Sequence, residues 1–432
     1  MEFNIYRLVA IIVIILSCFL ICRKNCDSVT KLFFLLFFSF LTVYCGIGGA
    51  LTDVSPLYVN YLILYVVFFT ATFKFWQVRG FRNRKSALIS SSKNERMVKI
   101  VDTYGGVVII LFFVLNLLSL VYPENNLSNL IHPPIPDISN RLSFYENKGN
   151  YITIFNVIKI LLSPFFYMCL YKYRRQLLFV IILLFLDMYM TYCAESYSSR
   201  GVILQVLMVA FFSYYYSVSK EKQRRVLIIS LSAFPFLIIA FVLYSFARVG
   251  NEYGVSISIG DAFELLFSQE ISYPLQFDDY IKSSGALINN YFLWFFLQPL
   301  PSFMKFGLGE DIFNEIFTNV VYNSYSWQSD FSICLPGLVG ESIFIFKYYF
   351  YLHAILLATI LYHVLRFLRR RPYLFFLFLY YAIKFAQELP RGGTQSVYSS
   401  LSKGFLIFVI VLVIIEKSNR QIAKEIVKRN VK

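Results

Sequence analysis

The sequence predicts an all-α, polytopic membrane protein, and three observations point to this class. The chain has 432 residues, of which 58% are hydrophobic, and its mean hydropathy of +0.62 is far above that of a soluble domain. Apolar runs recur from end to end, and many reach the roughly 20 residues needed to cross a ~30 Å hydrocarbon core. Aromatic residues make up 19% of the chain, and tyrosine in particular favours the membrane–water interface.

About 11 apolar segments are predicted to be transmembrane helices. Helices 1–8 occupy residues 1–247, at about 5–22, 32–51, 57–77, 101–121, 151–171, 176–194, 201–218 and 226–247. A long loop covers 248–336. Helices 9–11 follow within 337–416, at about 337–365, 373–389 and 400–416, and a basic tail covers 417–432.

The basic residues set the predicted orientation. They give a formal net charge of +15 and lie mostly in short segments between apolar runs. That charge would suggest nucleic acid as a partner of a soluble protein, but here the positive-inside rule accounts for it and no nucleic-acid partner is expected. If every predicted helix crosses, all six basic segments share one side, which is therefore predicted to be cytoplasmic, with the N-terminus outside and the C-terminus inside. These segments lie at 23–31, 79–99, 172–175, 220–225, 369–371 and 417–429.

The long loop at 248–336 is predicted to lie on the outer, periplasmic side. It is rich in acidic residues, and it contains an apolar patch at 291–300 that runs into Gln-Pro-Leu-Pro. The patch is too short and too broken by proline to span, so an interfacial or re-entrant segment is expected. Loops of this length within a compact protein are usually functional.

The sequence carries no motif for a metal or nucleotide cofactor. Its seven cysteines form no C-x-x-C pair or His/Cys cluster, and it has no Gly-rich phosphate loop, H-E-x-x-H or G-x-S-x-G. Neither a metal site nor any other cofactor is predicted.

Two hairpins bring ionisable residues to matching depths. Lys159 and Asp187 each lie about 14 positions from the turn at 172–175, so at ~1.5 Å per residue they share a depth. A structural ion pair is predicted, with a proton or ion relay as the alternative. His353 and Glu388 are each about 17 or 18 residues from the turn at 369–371, and a His–Glu contact is predicted there, with a catalytic base as the alternative.

Three arginines are expected at the outer rim, on separate elements. Arg200 lies in Tyr-Ser-Ser-Arg-Gly at the start of helix 7, Arg248 in Phe-Ala-Arg-Val-Gly after helix 8, and Arg391 in Leu-Pro-Arg-Gly-Gly between helices 10 and 11. Arginine binds phosphate bidentately and stays charged when partly desolvated. A clamp for a lipid-linked pyrophosphate is predicted, with snorkelling towards lipid phosphates as the alternative.

Acidic residues accompany these arginines. Glu195 lies five residues before Arg200, and Glu341 lies in Gly-Leu-Val-Gly-Glu-Ser near the outer end of helix 9. Either carboxylate is a candidate general base towards a sugar hydroxyl, and His353 is a third candidate. The alternative is that each carboxylate only orients an arginine.

At these residues the chain resembles the O-antigen polysaccharide polymerases, the Wzy family. The matching pieces are Ser-Ser-Arg-Gly at the start of a helix, Gln-Pro-Leu-Pro in the outer loop, Gly-Leu-Val-Gly-Glu-Ser and Pro-Arg-Gly-Gly. Each piece is short and weakly specific, whereas their order and membrane setting are moderately specific. The resemblance covers most of residues 185–416.

The resemblance implies a GT-C-like, metal-independent glycosyltransferase of the bacterial inner membrane. Its expected partners are an undecaprenyl-pyrophosphate-linked oligosaccharide, membrane lipid and a chain-length regulator. The glycan would pass from one lipid carrier to the non-reducing end of another lipid-linked repeat unit. A flippase or transporter of the same lipid, and the related O-antigen ligase, are the alternatives.

Overall fold

The computed structural model describes residues 5–23, 26–47, 56–82, 90–121, 125–133, 150–195, 200–229 and 337–430, together with positions 232 and 319. Within these ranges every regular element is helical, as the sequence predicts. The α-helices with defined ends are α1 (Ile5–Cys22), α2 (Ser28–Leu41), α3 (Pro56–Arg82), α4 (Ser90–Val121), α5 (Asn150–Cys169), α6 (Leu177–Glu195), α7 (Arg200–Ser217), α8 (Gly337–Phe346), α9 (Phe350–Arg369), α10 (Phe375–Ser399) and α11 (Ile407–Asn430). The long outer loop, with its segment at 291–300, lies outside the described residues except for position 319.

Several of these helices are long and apolar enough to cross a membrane. Five in the described part of the chain qualify individually. A sixth is the pair Pro372–Tyr398 and Ser400–Ser418, if the two are taken as one span bent by 63°. The multi-pass character predicted from the apolar pattern is supported at this level, while the count of 11 and the GT-C-like arrangement stay predictions.

Helix ends differ from the predicted ends where charged segments adjoin apolar ones. Helix α1 has the predicted bounds, but α4 begins at Ser90 instead of 101 and α11 continues to Asn430 instead of stopping at 416. Lysine, arginine, glutamate and glutamine are good helix formers. Charge therefore marks where an apolar span ends, and the helix itself continues beyond that point.

The chain forms two compact units. The first comprises 1–85, 264–370 and 381–399, and the second comprises 86–263, 371–380 and 400–432. Helix α10 contributes residues to both units, because the division falls between Tyr380 and Tyr381.

In the first unit, α2, α3 and α9 pack through aromatic side chains, and α1 lies against α3. Phe34 and Phe73 meet edge to face with ring centroids 4.5 Å apart, and Trp76 donates a hydrogen bond to Thr359 over 3.0 Å. The described ends of α1, α3 and α9 that lie next to the basic segments are close together. Lys74 and Gln77 of α3 donate to the carbonyl oxygens of Leu20 and Ile21 near the end of α1, and Arg369 is 3.4 Å from Asp27. In the described part of this unit these helix ends share one side, as the positive-inside pattern requires.

In the second unit, arginines of the basic turns are held by acids. Arg174 donates to both carboxylate oxygens of Asp102, at 2.7 and 3.2 Å. Arg371 donates to both oxygens of Glu416, at 3.0 and 3.3 Å, and Tyr373 donates to the same carboxylate at 2.7 Å. Such forked pairs fix the geometry of the turn as well as neutralising its charge.

The second unit also contains the ion pair predicted from helix depth. Lys159 Nζ lies 3.6 Å from Asp187 Oδ1. Asn116 donates to the same oxygen at 3.2 Å, and Lys159 also donates to the hydroxyl of Thr191. Each charge is thus offset by an opposite charge and a neutral partner, which is the arrangement expected of a structural pair in an apolar surrounding.

Replacing Lys159 or Asp187 with alanine should lower the yield of folded protein, because the remaining charge loses its counter-charge. The loss in unfolding free energy is expected to be below the ~3–5 kcal/mol found when a fully buried pair is broken, since both side chains are partly exposed. The double alanine variant should recover part of the loss. Lys99→Ala, which removes an exposed lysine of the same unit, is the control. Normal folding of both single variants, with activity lost, would contradict the structural role.

Candidate functional site

Helices α8 and α9 fold back on each other within the first unit. Glu341 and His353 are about 12 residues apart, which is ~18 Å along a continuous helix. Yet Glu341 Oε2 lies 3.7 Å from His353 Nε2, and the rings of Phe346 and His353 are 6.0 Å apart. The chain therefore reverses through the short turn Lys347–Tyr349. The prediction of one continuous helix over 337–365 is wrong, because the segment is apolar on both sides of the turn and hydropathy alone does not register a reversal.

Helix α10 is broken near its carboxyl end. Pro390 lacks the N–H of an ordinary helical residue, and Gly393 has φ 71° and ψ −167°. That conformation is essentially restricted to glycine. The prediction of a connection between two helices at 390–399 is confirmed in place but wrong in length. The non-helical residue is Gly393, and helical structure resumes directly after it.

The carboxylate of Glu341 binds the backbone that this break frees. Thr394 donates to it through both its N–H and its hydroxyl, the latter over 2.8 Å, and the N–H of Gln395 donates over 3.2 Å. These N–H groups follow the break, so they lack the partners one turn back that an unbroken helix supplies. A negative charge is also favoured at the start of a helical segment. Glu341, which is fully buried, thus caps the second half of α10 from another helix.

Two glycines allow α8 and α10 to approach this closely. A Cβ at Gly393 would overlap Glu341 Oε2 and lie 2.8 Å from its Cδ. Gly337, at the start of α8, has φ 66°, and a Cβ there would lie 3.4 Å from the carbonyl oxygen of Pro390. The Gly-Leu-Val-Gly-Glu-Ser and Pro-Arg-Gly-Gly segments are therefore in direct contact.

His353 links Glu341 to α3. Its Nδ1 lies 2.8 Å from the hydroxyl of Tyr65, and both side chains are buried. The predicted contact between His353 and Glu388 is wrong: the carboxylate beside His353 is Glu341, and Glu388 lies 3.9 Å from Lys384 on its own helix. The fold-back of α8 brings a nearer acid to the histidine.

The cluster lies far from the basic end of its unit. His353 is about 16 residues from Arg369 at the end of α9, and Tyr65 is about 17 residues from Arg82 at the end of α3. At ~1.5 Å per residue both distances are near 25 Å. The cluster is thus close to the boundary of a ~30 Å hydrocarbon core that is opposite the basic turns.

The other predicted site residues are described only in part. Arg391 lies in the break of α10, and its carbonyl oxygen would be 3.8 Å from a Cβ at Gly337. Glu195 is the last residue of α6 and Arg200 the first of α7, in the second unit, as their predicted places at helix ends require. Their side chains and the whole of Arg248 lie outside the described part of the chain. The arginine clamp stays a prediction.

In this conformation Glu341 has a structural role, which is to join α8 to the broken end of α10. Both of its oxygens accept hydrogen bonds, and none of its surface is exposed. A carboxylate can serve as a general base only when it reaches the proton that it removes. In the conformation described, the carboxylate of Glu341 is not accessible to a substrate. Among the described residues, no group of three or more His, Cys, Asp or Glu side chains is arranged to bind a metal ion.

Comparisons with known proteins add no relative. No protein-family model, curated protein or solved structure matches the chain.

Replacing Gly393 with alanine should destabilise the first unit. The substitution forces a side chain into a conformation that costs ~1–3 kcal/mol for non-glycine residues, and the new Cβ would displace the Glu341 carboxylate. The measurement is the midpoint of thermal unfolding of purified protein in detergent. Gly106→Ala is a suitable control, since its nearest neighbour is the flexible end of Lys172 and alanine favours a helix. Equal midpoints for the two variants would show that the break does not depend on glycine.

Proposed function

We propose that the protein is a polymerase of lipid-linked oligosaccharide repeat units of the O-antigen or capsule type. It transfers a glycan from undecaprenyl pyrophosphate to the non-reducing end of another lipid-linked repeat unit. The reaction takes place at the outer face of a bacterial inner membrane. The donor and acceptor are its substrates, and a chain-length regulator is a further partner.

One observation carries most of this proposal. Two of the four segments that resemble the polymerase family are about 50 residues apart in sequence, and they meet through Glu341 and the backbone of Thr394 and Gln395. Burying a carboxylate and an imidazole in a chain of this hydropathy is expensive, so such groups mark functional sites more often than not. The contact also lies at the depth where a lipid-linked pyrophosphate would be found, near the boundary opposite the basic turns.

The proposed chemistry is a single displacement. The acceptor hydroxyl oxygen forms a bond to the anomeric carbon of the donor glycan, and the bond from that carbon to the pyrophosphate oxygen breaks. The hydroxyl proton passes to a base, and the electron pair of the broken bond leaves with undecaprenyl pyrophosphate. Arg200, Arg248 and Arg391 are proposed to stabilise the leaving group, and Glu341, Glu195 or His353 to accept the proton.

A flippase or transporter of the same lipid is the second candidate, and the break in α10 is the observation that favours it. Many secondary transporters bind substrate at discontinuous helices whose freed ends face an anion. Transporters of this kind bind near the bilayer midplane, whereas the Glu341 cluster is ~25 Å from the basic end. Purified protein given a lipid-linked repeat unit distinguishes the two, because only a polymerase produces a ladder of longer glycans.

Conservative replacement of the three arginines tests the proposed clamp. Arg200→Lys, Arg248→Lys and Arg391→Lys should each fold and insert normally yet lose most polymerisation, because lysine keeps the charge but not the planar fork. Loss of one donor that stabilises a developing anion typically costs ~10²–10³ in rate, and a similar loss is expected here. The rate of ladder formation by purified protein is the measurement.

Arg175→Lys is the matched control, since Arg175 is an exposed residue of a basic turn. It should keep the rate of the unmodified protein. Full-length glycan at normal rates from all three lysine variants would show that the arginines only reach lipid phosphates, and the clamp would be abandoned.

A further inference from the structure

The hydrogen bonds around Glu341 bear on which ring nitrogen of His353 carries the hydrogen, and through it on whether Tyr65 donates or accepts. Thr394 N–H, Thr394 hydroxyl and Gln395 N–H all donate to the Glu341 carboxylate. Hydrogen bonds donated to both oxygens of a carboxylate favour its ionised form. Oε2 of the same carboxylate faces His353 Nε2 at 3.7 Å.

An ionised oxygen opposite Nε2 favours one tautomer of His353, and a donor at Nδ1 favours the same one. In a neutral imidazole one ring nitrogen carries the hydrogen and the other is an acceptor. A lone pair on Nε2 facing the Glu341 carboxylate would be repelled, whereas an N–H would be attracted. Nε2 is buried and makes no hydrogen bond, and the carboxylate is the charged group that it faces. An ionised Glu341 therefore favours the hydrogen on Nε2.

That choice fixes the role of Tyr65. With its hydrogen on Nε2, the imidazole presents an acceptor at Nδ1, which lies 2.8 Å from the Tyr65 hydroxyl. Tyr65 must then donate. The imidazole thus accepts from Tyr65 at Nδ1 and turns Nε2 towards the carboxylate at 3.7 Å, and all three residues are buried.

We propose that Tyr65 is a positioning residue, which acts through His353 to hold Glu341 in its ionised form. Nothing in the sequence around Tyr65 distinguishes it from the other tyrosines of α3. Its link to catalysis rests on the proposed polymerase function, because an ionised Glu341 is what a general base requires once α8 and α10 separate. The proton arrangement itself rests on the geometry alone and holds whatever reaction the protein performs.

The chain is well suited to a direct measurement of this arrangement. It contains only three histidines, so protein labelled with nitrogen-15 in histidine gives three imidazole signals, and His353→Gln identifies one of them. The nitrogen-15 shifts of Nδ1 and Nε2 show which nitrogen carries the hydrogen. At neutral pH we expect His353 to be neutral with its hydrogen on Nε2. A hydrogen on Nδ1, or a doubly protonated ring, would overturn the proposal.

Two variants separate positioning from packing. Tyr65→Phe removes the donor but keeps the ring, and it should leave His353 with both tautomers populated. Tyr58→Phe is the control, because Tyr58 is a buried tyrosine two turns earlier on α3 that interacts with Cys45. It should leave the His353 signals unchanged. Should Tyr65→Phe fail to fold, Glu341→Gln weakens the same preference from the carboxylate side. A single Nε2–H population that persists in each variant that folds would overturn the role of Tyr65.

The rate of glycan ladder formation separates this proposal from the proposed function. If the protein polymerises lipid-linked repeats, Tyr65→Phe should lower the rate at least ~10-fold, since loss of the correct histidine tautomer costs up to ~10⁴ in well-studied hydrolases. The expected tautomer in a protein that makes no glycan ladder would support the proton arrangement and reject the polymerase. If the protein is a polymerase and the tautomers of His353 shift as expected, an unchanged rate in Tyr65→Phe would show that Tyr65 has no effect on catalysis.

Discussion

The carboxylate of Glu341 is held in its buried position by three donors, and two of them, the N–H groups of Thr394 and Gln395, are free to bind it only because α10 is broken. The two features require each other. Without the break at Gly393, the N–H groups of Thr394 and Gln395 would bond within their own helix, and without the carboxylate they would be left unpaired. An unpaired buried donor costs ~1–3 kcal/mol. The fold-back of α8 on α9 is the geometry that brings the two features together.

This mutual dependence connects the fold to the proposed function. The described residues show the carboxylate bound to the break, and the proposed catalytic role requires a second arrangement in which it is released. In the bound arrangement the carboxylate is fully buried, and it could accept a proton from a substrate only after release. A polymerase that must protect its base until both lipid-linked substrates arrive would benefit from a carboxylate that is buried until then. A transporter that alternates between two states would benefit equally, which is why activity on a purified substrate decides between them.

The sequence predicted what depends on local pattern. The apolar runs predicted the all-helical class and the bounds of α1. The equal distances of Lys159 and Asp187 from the turn between their helices predicted the ion pair. The sequence missed what depends on distant partners. The reversal after α8 falls within continuous apolar sequence, and the carboxylate that binds the break in α10 is about 50 residues away. Tyr65 and Thr394 therefore carried no signal, and His353 was assigned the wrong carboxylate, although a carboxylate was correctly expected.

The central claim is that Glu341 and Thr394 stabilise each other across the break. A double-mutant cycle measures this directly, with unfolding free energies of Glu341→Gln, Thr394→Val and the double variant determined in mixed micelles. Residues that share one hydrogen-bond network show coupling of ~0.5–3 kcal/mol. We expect coupling in that range, so that the second substitution costs little once the first is made. Strictly additive losses would contradict the claim, because they would mean that the buried carboxylate does not hold the broken helix.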